Sequence, residues 1–203
     1  MIPEYRDTYT EEGIYGDFTY GSPSVSRSFI HATFVTQGGA FEISNTAKVL
    51  CIGSGNGYEI AKFRLEGFKC FGIDLYVPDV KVVKDRSVRG DASNMPFRDD
   101  EFDLVFCTET FEHIPEEICF KILAEVKRVG LNFYFTVSTK DDKPYDTHIN
   151  IHDAWWWMDK FNECGLKITH AEAMPVIPLV YGGNRIVKLR YIEGVLIYGL
   201  CNT

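Results

Sequence analysis

The stretch VLCIGSGNGYEIAKF, residues 49–63, decides the fold. Its apolar opening, VLCIG, leads into Gly53-Ser54-Gly55-Asn56-Gly57, and the chain then passes directly into a helical stretch, Tyr58 to Glu66, stopped by Gly67. So short and dense an apolar run predicts a strand buried on both faces. The segment is therefore a strand, a glycine turn and a helix. Glycines at such a turn let the backbone approach a ligand without a Cβ in the way, and they leave helix N–H groups aimed at it. A tight turn without a ligand is the alternative. Three glycines at alternate positions exceed what turning needs.

Outward from this unit the alternation continues. CFGIDL (70–75) reads as a second strand and, after a polar stretch, FDLVFCT (102–108) as another. A helix is predicted over Pro115 to Val129, a strand over NFYFTVS (132–138), and a helix from Asp153 to Cys164, capped by Asp153 and ended by Gly165. GVLIYGL (194–200) closes the series. Buried strands alternating with helices predict an α/β fold with a parallel sheet. Residues 1–46 differ: they are rich in Tyr, Ser, Thr and Gly. A helix should start at Ser22-Pro23, with Val25, Phe29 and Ala32 on one face and Ile30 and Phe34 nearly opposite, so that it is buried on two sides until Gly38-Gly39 ends it. This part reads as an extension packed on one main domain, residues 47–203.

Composition narrows the function. Of 203 residues, 21 are Lys or Arg and 29 are Asp or Glu, a net charge of −8. That charge repels phosphate backbones, and the basic cluster Lys81, Lys84, Arg86 and Arg89 is interrupted by Asp85. Nucleic acid is not the expected partner. The six cysteines form no CxxC pair, and three lie in apolar segments, as expected of free thiols in a reducing compartment. The N-terminus has no basic-then-apolar leader pattern, and no apolar run approaches the roughly 20 residues that span a bilayer. A cytoplasmic protein with no membrane partner is expected. Nothing in the sequence sets the oligomeric state.

The ligand class follows from spacing. A dinucleotide fingerprint needs G-x-G-x-x-G, yet position 58 is Tyr and the third glycine falls at Gly57. This speaks against NAD. Asp74, 17 residues after Gly57 at the tip of the second strand, suits the hydroxyls of a ribose, which NAD and adenosyl cofactors both present. VLCIGSGNG, then GIDL, then GDASNMPFRDDEFDLVFCTETFEHI resembles the class I S-adenosylmethionine-dependent methyltransferases over roughly residues 48–140. THINIHDAWWWMDKFNECGLKI (147–168) is similar to a segment of His, helix, glycine and strand in several small-molecule and sugar methyltransferases.

The resemblance implies a Rossmann-like, mostly parallel seven-stranded sheet with helices on both faces, and S-adenosyl-L-methionine as cofactor. It implies that Ile52, Gly53, Gly55 and Gly57 face the cofactor's methionine and sulfonium side. Asp74 would hold the ribose, Leu75 would pack on adenine, and Asp91 and Ala92 would meet the adenine edge, a turn cap being the alternative for Asp91. Cys107 and Thr108 would meet the methionyl amine through their carbonyls. Two departures stand out. Cys51 replaces the usual acid two residues before the first glycine, a job that would pass to Glu109 or Glu112, and KRVGLNFYF lacks the usual Pro-Gly-Gly turn.

Methyl transfer asks the protein mainly for alignment, and positioning can be worth roughly 7 to 11 kcal/mol. An oxygen nucleophile also needs a base. Of His31, His113, His148, His152 and His170, the candidate is His148, which follows the fifth predicted strand on the ligand edge of an open α/β sheet. A loop histidine held by packing is the alternative. His113 belongs to a Glu-His pair common in the family, and His152 suits packing or capping. Asp146, His148, His152 and Asp153 could suggest a metal, but their loop setting argues against it, and none is predicted. Trp155, Trp156 and Trp157 span about 200° of a helix, so at least one should be exposed or face the cleft, where it could meet a sugar ring. The N-terminal tyrosines could cap the substrate pocket. After the fourth strand, Thr108-Glu109-Thr110-Phe111 does not match the pattern of nucleic-acid amino methyltransferases. The expected activity is methylation of a small molecule, preferably at a sugar or sugar-like hydroxyl. An amine or carboxylate acceptor, or a non-catalytic module of the same fold, is the alternative.

Overall fold

The computed structural model describes residues 31–38, 40, 42–77, 85–140, 147–173 and 194–201. Seven strands form one sheet: β1 (Lys48–Ile52), β2 (Lys69–Asp74), β3 (Ser87–Arg89), β4 (Leu104–Thr108), β5 (Asn132–Ser138), β6 (Lys167–Ala173) and β7 (Gly194–Leu200). Their order is β3-β2-β1-β4-β5-β7-β6. Strands β1 to β5 run parallel, and β7 runs antiparallel to both its neighbours. Among the described residues, α1 (Tyr58–Leu65), α2 (Glu116–Val129) and α3 (Ala154–Glu163) accompany them, together with a helical segment at 31–36. The expected mostly parallel sheet is present, and each predicted strand and helix of the main domain lies within two residues of its observed bounds.

β3 falls in the polar stretch that patterning passes over. It is three residues long, lies on one edge of the sheet, and none of its residues is fully buried. Without apolar burial it leaves no periodic signal. β6, KITHAEA, forms the opposite edge and follows Gly165, where the family resemblance places a strand.

Side-chain alternation along the central strands divides the core in two. Leu50, Ile52, Val105, Cys107, Phe133 and Phe135 pack on one face beneath α2 and α3. Val49, Cys51, Leu104, Phe106 and Tyr134 pack on the other, against Ile60 and Phe63 of α1. Ala32 and Val35 from the helical turn 31–36 join this second face, where His31 Nδ1 meets Tyr134 Oη at 2.8 Å. The described part of the extension is thus a layer over the sheet. Phe34, on the other side of this turn, is 36% exposed with its ring centroid 6.3 Å from that of Tyr134, and Ile30 lies outside the described residues. The predicted helix start at Ser22-Pro23, the N-terminal tyrosines and the basic pair Lys81 and Lys84 lie outside the described residues.

Candidate active site

The strand order reverses between β1 and β4, and ligands of open α/β sheets bind in the crevice at such a point, beyond the strands' carboxyl ends. The glycine loop forms one wall. Gly53, Gly55 and Gly57 have φ of 64°, 45° and 77°, all in the left-handed region that favours glycine. Backbone conformation thus favours glycine at all three positions. A Cβ on Gly53 would fall 2.4 Å from Thr110 Oγ1, so the loop packs against the turn that follows β4. Gly72 allows another close approach, since a Cβ there would lie 2.5 Å from Ile60 Cδ1 and 2.6 Å from Ser54 Oγ. α1 starts after Gly57 with no side-chain cap.

What points to a ligand is the carboxylate beside the loop. Asp74 Oδ2 accepts from Gly55 N at 2.8 Å and Oδ1 from Tyr76 N at 2.9 Å. Burial raises this carboxyl above its ordinary range, against the lowering effect of the Tyr76, Gly55 and Leu75 N–H groups. Leu75 is half-buried, and its carbonyl accepts from Arg89 Nε at 3.2 Å. Asp91 is exposed and closes its own turn, Oδ1 accepting from Ser93 N at 2.8 Å and its carbonyl from Asn94 N at 3.0 Å. The turn-cap alternative thus has direct contacts. Ala92 packs at the margin of the core, where Ile52 is buried.

On the opposite wall, Cys107 sits inside the ladder between β1 and β5, and burial raises its thiol. Thr108 ends β4; its carbonyl accepts from Thr110 Oγ1 at 3.0 Å, and its hydroxyl donates to Glu59 Oε1 at 3.3 Å. Glu59, in the first turn of α1, is a site residue that sequence reasoning missed. The signal was available: an acid one residue into the helix that follows the glycine loop. Cys51 lies in the core with its Sγ 3.5 Å from Cys70 Sγ, and burial raises its thiol. An acid at this position would be buried between α1 and β2. Glu109 and Glu112, the expected substitutes, both lean on β5: Glu109 Oε1 accepts from Thr136 Oγ1 at 3.0 Å, and Glu112 Oε1 from Ser138 N at 3.3 Å.

The carboxyl ends of β4 and β5 build a second cluster. Glu109 has φ of 49°, a strained value for a non-glycine residue and one often found at functional sites. It turns the chain into a short 3₁₀ segment, Phe111–His113. The Glu112 carbonyl accepts from both Ile149 N and Asn150 N, at 2.9 and 3.0 Å, fastening the loop that follows β5 onto this segment. His113 Nδ1 lies 3.0 Å from the Thr147 carbonyl and His148 Nδ1 2.6 Å from the Lys140 carbonyl. The two rings meet edge to face with centroids 4.7 Å apart.

His152 stacks on Trp156 at 3.5 Å with Nε2 3.5 Å from Glu116, while Asp153 caps α3 by accepting from Trp156 N at 2.8 Å. These partners account for His152 and Asp153, and Asp146 lies outside the described residues. Of the tryptophans, Trp157 is in the core, Trp156 is half-buried and Trp155 is 77% exposed, as the angular argument required.

A family model described as Methyltransferase domain matches residues 50–131, which span the glycine loop, Asp74, β4 and α2. Solved structures share the fold. A chain of the complex between the Haloferax volcanii Trm112 methyltransferase activator and a methyltransferase superposes with a TM-score of 0.63 at 17% identity, covering 89% of this chain and 93% of that one. An S-adenosylmethionine-dependent methyltransferase from Archaeoglobus fulgidus gives 0.63 at 16% identity, covering 86% and 94%. The [4+2]-cyclase SpnF gives 0.60 at 16%, covering 78% and 62%. No curated protein matches the sequence. Residues 50–131 thus match a methyltransferase domain, and the whole chain has the fold of solved structures described as S-adenosylmethionine-dependent methyltransferases. Among the described residues, no helix is long and apolar enough to cross a membrane.

Proposed function

We propose that the protein methylates a hydroxyl of a small molecule, a sugar or sugar-like compound being the preferred acceptor. The observation that carries this reading is the setting of His148. A carbonyl oxygen can only accept, so the short contact with Lys140 puts a proton on Nδ1 and leaves the lone pair of the neutral ring on Nε2. That is the form a general base needs, and only an oxygen acceptor depends strongly on one. Trp155 and Trp156 offer apolar ring surface that a sugar could use.

The wall residues fit an adenosyl cofactor. Gly53, Gly55 and Gly57, with Ile52, line its methionine end; Asp74, a carboxylate that accepts hydrogen bonds, holds the ribose; and Leu75, Asp91 and Ala92 flank the base. The carbonyls of Cys107 and Thr108, with the Glu59 carboxylate beside them, face the methionyl ammonium. Glu59 supplies the negative charge that Cys51 does not. When bound, the cofactor supplies an activated methyl group on sulfur. The protein's own task is to align it, exclude water and remove the acceptor's proton.

Net charge and the Thr108-Glu109-Thr110-Phe111 sequence support a partner other than nucleic acid. Free thiols at all six cysteines support the cytoplasm. The aromatic-rich N-terminal extension is read as a lid over the substrate pocket. A non-catalytic reading is favoured by Cys51 alone, and the cyclase among the structural neighbours shows that this fold can carry other chemistry.

A panel of sugars, amines, thiols and carboxylic acids, scored by S-adenosylhomocysteine release, tests the proposal. Product with hydroxyl acceptors is expected. Turnover confined to amines would remove the base from His148, and cofactor binding without turnover on any acceptor would favour the module.

A further inference from the structure

We propose that Glu112, His113 and His148 form a binding site for one divalent transition-metal cation. Their ligand atoms all lie within 4.8 Å of one another. Ligands bonded at about 2.0 to 2.2 Å to a shared ion stand about 3 to 4 Å apart, so a small closing of three side chains brings them to one ion. Two imidazoles and one carboxylate form a recurrent catalytic donor set, which leaves coordination positions open for substrate.

Orientation carries the proposal beyond proximity. Metal-bound histidines almost always donate their second ring N–H to a carboxylate, carbonyl or water, which fixes the tautomer and aims the other nitrogen. Both histidines here have Nδ1 on a backbone carbonyl, Thr147 for His113 and Lys140 for His148. An Nδ1 proton on each ring leaves Nε2 as its ligating atom, and the rings meet edge to face at 4.7 Å. Glu112 is 0% exposed, yet its Oε1 is held by Ser138 N and its carbonyl by Ile149 N and Asn150 N. A carboxylate buried beside two imidazoles places three donors away from bulk water, and a cation stabilises the ionised form of a buried carboxylate. The imidazole pair selects first-row ions such as Mn²⁺, Co²⁺ or Zn²⁺ over Mg²⁺, which prefers all-oxygen sites.

Cation binding stands apart from acceptor identity, but its use in catalysis rests on the hydroxyl reading. The acceptor hydroxyl takes an open position on the ion and gives its proton to solvent. Its oxygen then bonds to the methyl carbon, while the carbon–sulfur bond breaks with both electrons going to sulfur. An ion of this kind can lower the pKa of bound water to about 7, and it acidifies a bound alcohol in the same direction, so the acceptor needs no separate base. His148 then acts as a ligand, and the proton-removing role that the proposed function gives it passes to the ion.

The full chain, stripped with chelator and desalted, is titrated with Co²⁺ while its visible absorption is followed, and S-adenosylhomocysteine binding is measured in parallel as a check on folding. One equivalent of Co²⁺ should bind, Zn²⁺ should displace it and Mg²⁺ should not. His148→Ala and His113→Ala should each weaken uptake by more than about tenfold with S-adenosylhomocysteine affinity kept. Absence of saturable uptake by a native chain that still binds S-adenosylhomocysteine overturns the site, as does uptake unchanged in both variants. If Co²⁺ binds as expected but no hydroxyl is ever methylated, the acceptor reading falls and the cation site stands. Turnover on a hydroxyl that survives chelation overturns the ion's role and returns His148 to that of a base.

Discussion

The two walls of the crevice are built by different means. On the β1–β2 side, the glycine loop and Asp74 lie within 22 residues of one another, and their identities are nearly dictated by backbone geometry. Three glycines have positive φ, and Gly72 admits Ile60 and Ser54 where any Cβ would collide. On the β4–β5 side, Glu112, His113 and His148 come together only because β4 and β5 pair in parallel and the loop after β5 fastens to the turn after β4. The first wall tolerates little change because the chain could not adopt its path. The second is held by side-chain chemistry, and its changes should affect turnover far more than shape.

This contrast makes predictions of decreasing size. The largest effect is on the first wall. Gly55→Val places a branched side chain at φ 45° in the loop, and calorimetry should detect no cofactor binding. Retained affinity would mean that the loop is not the cradle. On the second wall, His148→Ala should lower turnover by roughly 10² to 10⁴ with cofactor affinity unchanged. A parallel loss of affinity would show that the two walls are not separate.

Cys51→Asp sharpens the comparison by restoring the acid common in similar proteins. The residue is buried against Cys70, so an added carboxylate should cost about 3 kcal/mol, read as a fall in melting temperature. A variant as stable as the native chain with tighter binding would show that Cys51 faces the crevice after all. Asp74→Ala should weaken S-adenosylhomocysteine binding by about 1 to 3 kcal/mol. Because burial raises the Asp74 carboxyl, it takes up a proton before ordinary carboxylates as pH falls. Native affinity should therefore drop on acidification, whereas Asp74→Asn should bind weakly at every pH. The smallest effect is expected from Glu59→Gln, about 1 kcal/mol of cofactor affinity from a half-buried charge.

Legibility follows the same division. The strand, glycine turn and helix, and the long apolar strands, show in the sequence because burial on both faces leaves dense apolar runs. β3 does not, being short and at the edge. Asp74 is legible from its spacing after Gly57. Glu59 is local too and was passed over for the more distant Glu109 and Glu112, whose carboxylates engage β5. The Glu112–His113–His148 cluster joins residues 35 apart, a juxtaposition that no local pattern encodes. His152 shows the converse: four residues from His148 in sequence, it is stacked on Trp156 and faces Glu116.

The most direct measurement is a thermal-shift titration with S-adenosylmethionine, S-adenosylhomocysteine and NAD side by side. The geometry of the first wall predicts a concentration-dependent rise in melting temperature with the two adenosyl sulfur compounds and none with NAD. A flat response to both adenosyl compounds, or stabilisation by NAD alone, would contradict the assignment of the loop and Asp74 to the cofactor.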